Sequence, residues 1–256
     1  MGDQHEIDKR DWIAGLDKGL RIIEAFSEAH PRLTASTAAR RTGITRTAAR
    51  RYLLTLHQLG FVDSDGTLFW LTPRILRLGW SYIDSAKLPR AVQPFLQRLS
   101  VELGGSAFFA VLDEGDVVFV ARNGANRVQN LGFVLGARMA ANVAAAGVAM
   151  LSCKNDAEIQ AWLQGRRFVP YTQLSLTRAE DVRALILKSR TDGYAVVEQQ
   201  LERDRRGIAV AVRDRQGSVV GAVSVSLPIG SESAQQAVSR SLPLLREVEQ
   251  SLLALL

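Results

Sequence analysis

The chain has 256 residues, enough for one large domain or two of ordinary size. It is 47% hydrophobic and 23% charged, the balance of a globular protein that can bury a core. It has no run of about 18 apolar residues, so no transmembrane helix is expected. The polar start MGDQHEIDKRDW lacks the apolar stretch of a secretory signal. The single cysteine, Cys153, excludes an internal disulfide framework, and His5, His30 and His57 are scattered without metal-ligand spacing. These features predict a cytoplasmic protein with neither a cofactor nor a membrane partner. The formal charge of +6 favours an acidic partner.

Residues 1–13 read as a loose tail. From Gly15 to Ala29, Leu16, Leu20 and Ile23 recur at i, i+4, i+7, the spacing of an amphipathic helix. HPRLT breaks it. TASTAARRTG predicts a short helix with Thr34 or Ser36 as N-cap and Gly43 at its end. A third helix opens at Thr45 and closes at Gly60. In FVDSDGTLFWL an Asp65-Gly66 turn between strand formers marks a hairpin. Three helices and a hairpin is the order of a winged helix-turn-helix. Residues 72–104 look helical for most of their length, with breaks at Pro89 and Pro94, and their first part reads as a linker helix. SAFFAVL and DVVFVAR form strands around an Asp113–Asp116 turn. VAAAGVAML and residues 155–165 and 177–192 look helical. YAVVEQQ, GIAVAVRD and SVVGAVSVSLP are strands, and residues 232–255 form a closing helix. The expected class is α+β, an antiparallel sheet carrying helices. The expected division is a tail at 1–13, a winged helix-turn-helix at 14–73, a linker helix at 74–92 and a second domain at 93–256.

Residues 31–60 contain six arginines and no Asp or Glu. On the third helix Ala49, Tyr52, Leu53 and Leu56 share one stripe. Thr47 and Arg51 lie opposite it, with Arg46 and Arg50 towards its flank. A helix-turn-helix puts the start of its second helix into the major groove, where Arg reads guanine or holds phosphate. Candidate DNA contacts are therefore Thr34, Ser36, Thr45, Arg46, Thr47, Arg50 and Arg51, on double-stranded operator DNA. The hairpin, Asp63 to Trp70, would lie beside the backbone or minor groove. A solvated helix face usually mixes signs, and this one does not.

GLDKGLRIIEAF, AARRTGITRTAARRYLLTLHQLGFV, WLTPRILRLG, GARM and RRGIAVAVRDRQGSVVGAVSVSLP together resemble the IclR family of bacterial transcription regulators, over nearly the whole chain. RDWIAGLDKGL, TRTAARRYL and LPRAVQPFLQRLS are closer in look to the branch that controls aromatic-acid catabolism, the protocatechuate, 4-hydroxybenzoate and β-ketoadipate regulators. The resemblance implies a C-terminal effector domain of GAF-like fold, a homodimer or tetramer on DNA, a small organic-acid effector and contact with RNA polymerase where such proteins activate. It maps the effector site onto Met139, Asn142, Ala144, Ala145, Gly207, Ser224 and Ser226. A helix start, with unpaired N–H groups and the positive dipole end, suits a carboxylate. Asn142 would cap that helix or donate to a ligand oxygen. Ser224 and Ser226 alternate with Val223 and Val225 and so share a strand face.

Position 144 is commonly Ser or Thr in the family, 207 Cys or Ser, and 140 Pro. Here they are Ala144, Gly207 and Ala140. Three explanations stand: a bulkier ligand using the vacated volume, a carboxylate held by backbone N–H groups alone, or a pocket that has lost its ligand. Arg138 and Arg206 carry charge nearby, with structural pairing to an acid such as Glu202 or Asp204 the simpler role. An enzyme is the competing class, but no nucleophile elbow, phosphate loop, zinc signature or His-containing triad is present. Asp113, Glu114 and Asp116 sit in a turn, where acids are usually just solvated. A third reading is a DNA-binding protein whose second domain is structural.

Overall fold

The computed structural model describes residues 8, 10–85, 87–124 and 135–255. Of the tail expected at 1–13, residues 1–7 and 9 lie outside these. The chain divides into two compact units, residues 1–82 and 83–256.

In the first unit α1 (Ala14–Glu24), α2 (Ala35–Thr42) and α3 (Arg46–Gln58) precede a hairpin of β1 (Val62–Ser64) and β2 (Phe69–Leu71). Local chemistry sets each boundary. The Thr34 hydroxyl accepts from Thr37 N and starts α2, so Ser36 is an exposed second-position residue and not the cap. Gly43, in the left-handed region, closes α2. The Thr45 hydroxyl accepts from Ala48 N and starts α3. Ala49, Leu53 and Leu56 are buried with Ile22, Leu33, Val62 and Phe69, and Tyr52 packs against them. Burying each of the leucines contributes about 1.5–3 kcal/mol. The first helix differs from expectation. It ends at Glu24, and its inward residue is Ile22, while Leu16 and Leu20 are exposed alongside Trp12 and Ile13.

The second unit is a six-stranded antiparallel sheet, with helices on both faces. Its strands are β3 (Ser106–Asp113), β4 (Asp116–Asn123), β5 (Arg138–Ala140), β6 (Ala195–Glu198), β7 (Arg205–Arg213) and β8 (Val219–Pro228), in the order β5-β4-β3-β8-β7-β6. One face packs on α6 (Ala145–Ser152), α7 (Asp156–Leu163) and α8 (Ala179–Asp192) through residues such as Phe108, Phe119, Ala209 and Val148. The other packs on α5 (Lys87–Leu103) and α9 (Ala234–Leu255) through Phe109, Val210 and Val223. The alternation of neighbours between the two clusters is the pleat of the strands, broken at Val120 and Ala121, which both face the second cluster at a bulge in the β3–β4 pairing.

α4 (Leu76–Ser85) precedes α5. The expected breaks at Pro89 and Pro94 do not occur. Pro89 is the third residue of α5, where its missing N–H has no intrahelical partner to lose, and Pro94 lies inside the helix. Val92, Leu96, Leu99 and Leu103 are buried along one side of α5, which offsets the roughly 3 kcal/mol cost of an interior proline. The compact division therefore falls ten residues before the expected end of the linker at 92. Within the GARM segment and the residue after it, Arg138–Ala140 form the short strand β5, paired with β4.

Candidate functional site

Each unit holds one candidate site. In the first, Arg46, Thr47, Arg50 and Arg51 are all exposed on α3, as sequence periodicity predicts. The six arginines of residues 31–60 divide into two sorts. Arg32 stacks over the Trp70 ring at 4.6 Å, and Arg41 donates to the Ala25 carbonyl and meets His30. Arg40, Arg46, Arg50 and Arg51 have no side-chain partner among the described residues. Exposed guanidinium groups without a counter-charge, three of them within the first six residues of α3, suit an anion. Thr34 and Thr45 spend their hydroxyls on capping. The hairpin carries Asp63 and Asp65 and no base. The Asp65 carboxyl accepts from Leu68 N and Thr67 N, which holds it below the ordinary carboxylate range. Phosphate contact at the hairpin would have to come from backbone N–H groups or Thr67.

In the second unit a cavity of about 50 Å³ lies between the start of α6 and one end of the sheet. Ala144, Ala145, Gly207, Ser224 and Ser226 line it, as expected. Gly207 pairs with Ser226 and Ala209 with Ser224, so both hydroxyls come from β8 beside β7. Neither makes a hydrogen bond with the described residues. Ala144 is the N-cap residue of α6 and supplies no side-chain cap, so the first N–H groups of the helix are left to another acceptor.

The other expected site residues lie elsewhere. Met139 is in core packing and pairs across to Val117. Asn142 is 2% exposed and does not line the cavity; it caps nothing, and its Nδ2 has no partner. The Gly207 site is not vacant: a Cβ there would sit 3.1 Å from the Ala145 Cβ. The absent side chain lets α6 approach β7, so it does not provide room for a ligand. Gly147 allows a different close approach, of α6 to the segment before it, since a Cβ on it would meet the Ala141 carbonyl oxygen at 2.3 Å.

Neither arginine singled out in the sequence serves the cavity. Arg206 is 3% exposed, with Nε 2.6 Å from Glu198 and the rest of the guanidinium on the Glu232 and Ser233 carbonyls. Its acid is thus Glu198, not Glu202 or Asp204. Arg138 pairs with Asp113, which raises its pKa, and lies near Glu114 and Asp116. The polar rim comes instead from residues that sequence reasoning missed: Gln199, Gln200, Glu202 and Arg205, with Phe108 and Phe119 as an aromatic wall. A signal was available. Side chains two apart on a strand share a face, so Gly207 at the cavity predicts Arg205 there and Arg206 behind. Among the described residues no group of His, Cys, Asp and Glu could hold a metal ion, and no helix is long and apolar enough to cross a membrane.

Residues 15–66 match the IclR helix-turn-helix domain, and residues 80–252 match the bacterial transcriptional regulator IclR C-terminal domain. The chain belongs to the IclR family. The chain is 38% identical over 256 residues to the p-hydroxybenzoate hydroxylase transcriptional activator of Acinetobacter baylyi, covering 96% of this chain and 93% of that one. It is 33% identical over 246 residues to the Pca operon regulatory protein of the same organism, covering 94% and 88%. Among solved structures, an IclR homologue from Microbacterium hydrocarbonoxydans complexed with 4-hydroxybenzoate superposes with a TM-score of 0.73 at 22% identity, covering 94% of this chain and 100% of that one. The IclR-family fold, an α+β chain with an N-terminal helix-turn-helix and a C-terminal antiparallel sheet domain, is the one expected from the sequence. Its relatives are transcriptional regulators.

Proposed function

We propose that this IclR-family chain regulates transcription of an aromatic-acid catabolic operon, without enzymatic activity, and that a small aromatic acid in the second unit controls it. The carrying observation is the cavity at the start of α6: an aromatic wall, uncapped helix N–H groups and two unpartnered serine hydroxyls form a receptor for a ring with a carboxylate. The carboxylate sits against Ala144 to Ala146, with Ser224 and Ser226 donating. Operator DNA is held by Arg40, Arg46, Arg50 and Arg51, with Thr47 beside them on α3. The exposed apolar residues of α1 and α4, Leu16, Leu20, Leu76 and Trp80 among them, support a dimer or tetramer. Two copies of one short reading helix also give the specificity that one cannot.

The cavity's volume has a consequence. Roughly 150 Å³ accommodates a benzene ring in an apolar cavity, about three times the volume here. Side chains at the rim must move for a ring to enter. That volume, with Ala144 and Gly207, favours a second reading in which this domain is structural. Thermal melting of the full chain with a panel of aromatic and keto acids separates the two. The proposal requires an acid that raises Tm and alters operator affinity; no shift from any acid in the panel supports the structural reading. Turnover of an acid would support an enzyme.

A further inference from the structure

The wing of a helix-turn-helix is expected beside the DNA backbone, yet this hairpin carries Asp63 and Asp65 and no base. A phosphate repels both acids. A cation is supplied from outside the hairpin. Leu33 and Phe69 exchange both backbone hydrogen bonds at 2.9 Å, so the segment before α2 is bridged to β2. Leu33 and Phe69 are buried, which turns their neighbours in the chain to the outer face. Arg32 and Trp70 therefore stand side by side there, and Asp63 is the partner of Trp70 in β1. The Arg32 guanidinium lies over the Trp70 ring, 4.6 Å from its centroid. Its charge also reaches the tip of the hairpin. The Asp65 carboxyl is held below its ordinary range by the N–H groups of Leu68 and Thr67 first, and by Arg32 after them.

We propose that Arg32 is the phosphate contact at the wing, and that the hairpin is its platform and does not itself read the groove. The ring holds one face of the guanidinium. The N–H edge of this exposed residue donates no hydrogen bond among the described residues. Neither acid of the hairpin forms an ion pair with it there: Asp65 Oδ1 accepts from Thr67 N and Leu68 N, and Asp63 Oδ1 from Ser64 N. A planar edge of donors matches a phosphate, which accepts two parallel hydrogen bonds. Trp70 is then a positioning residue. By holding the guanidinium in place before DNA arrives, it removes part of the side-chain freedom that an exposed arginine gives up on binding. The contact lies apart from the α3 arginines and carries no sequence information, so it sets register and strength where α3 sets specificity.

The test is fluorescence anisotropy of the full-length protein on two labelled duplexes, one of arbitrary sequence and one operator selected from random sequence, between about 50 and 200 mM salt. The variants are Arg32→Gln, Arg32→Lys, Trp70→Leu and Arg32→Gln combined with Trp70→Leu, each checked for folding by circular dichroism. Arg32→Gln should weaken binding about 10-fold at the lower salt, by the same factor on both duplexes. Its plot of log affinity against log salt should be shallower by about 0.9, the counterion release of one phosphate on duplex DNA. A merely structural arginine would lower Tm and leave that slope as it is. Arg32→Lys keeps the charge but not the planar fork, so its slope should stay native while affinity falls. Trp70→Leu should cost about 2–5-fold, the worth of an exposed cation–π contact, and nothing further in the Arg32→Gln background. A native slope in folded Arg32→Gln overturns the proposal. So does a loss confined to the operator, which would make Arg32 a reader of bases. An equal Trp70→Leu loss with and without Arg32 overturns the platform, because the ring would then touch DNA on its own account.

Discussion

Replacing Gly207 with leucine tests both the cavity and the closeness of α6 to β7. A Cβ at this position would lie 3.1 Å from the Ala145 Cβ, 3.8 Å from Ala145 N and 3.7 Å from the Val197 carbonyl oxygen. Ordinary carbon contacts are about 3.5–4.0 Å, so the first methylene alone forces the start of α6 outward by several tenths of an ångström. The rest of the leucine must enter the 50 Å³ cavity or push further. Overpacking of this kind costs about 1–3 kcal/mol. At about 2–4 °C per kcal/mol for a unit of this size, Tm should fall by roughly 2–12 °C. The uncapped N–H groups move with the helix start, so effector affinity falls through displacement as well as overlap. Differential scanning calorimetry gives the first quantity and titration with the effector the second, with operator binding measured alongside to detect unfolding. Gly207→Ala with Ala145→Gly sharpens the experiment, because it moves one methyl from helix to strand. If the close approach is the cause, the pair should melt above the sum of its single variants, a coupling on the order of 0.5–3 kcal/mol. A Gly207→Leu protein with native Tm and native effector response would refute the placement of the ligand here.

Arg51→Ala should weaken operator binding by about 1–3 kcal/mol and relax specificity at one base position, with circular dichroism unchanged, since Arg51 is exposed opposite the buried stripe; unaltered affinity here and in Thr47→Ala, measured by fluorescence anisotropy, would sink the assignment of α3. Arg206→Met removes the partner of Glu198 and the ligand of two carbonyls, so it should lower Tm while leaving effector affinity near native; a loss of affinity without a loss of Tm would return Arg206 to the site. Because burial raises the Glu202 carboxyl in the folded state, its ionised form costs stability. That cost is absent below the unfolded value, where both states are protonated, and sets in as pH rises through the folded value. Glu202→Gln should therefore melt above the native chain at neutral pH and level with it in acid, and equal melting curves at pH 7 would contradict this. Sedimentation should show a dimer or tetramer at micromolar concentration; a monomer both free and on DNA would mean that the exposed Leu16, Leu20 and Trp80 are not an interface.

The first unit was largely legible in the sequence because its determinants are local. Thr34, Gly43, Thr45 and the Asp65-Gly66 turn act on backbone groups within a few residues of themselves. The stripe of α3 is a periodicity, so the face left to DNA followed from the face that is buried. The outward turn of Leu16 and Leu20 did not follow, because spacing shows that a helix has an apolar stripe but not whether that stripe meets this chain or another. Strands and their alternation were equally plain, and put Ser224 and Ser226 on one side before any pairing was known. What tertiary structure alone decided is the meeting of distant segments. That Arg138 belongs to the β3–β4 turn and Arg206 to Glu198 depends on sheet order and pairing. That α5 runs through Pro94 depends on the core it covers, whose burial outweighs a local rule. The emptiness of Gly207 was readable as space for a ligand until Ala145, 62 residues earlier in the chain, was seen to fill it. A cavity is defined by what several segments jointly leave unfilled, and no one segment of the sequence contains that information.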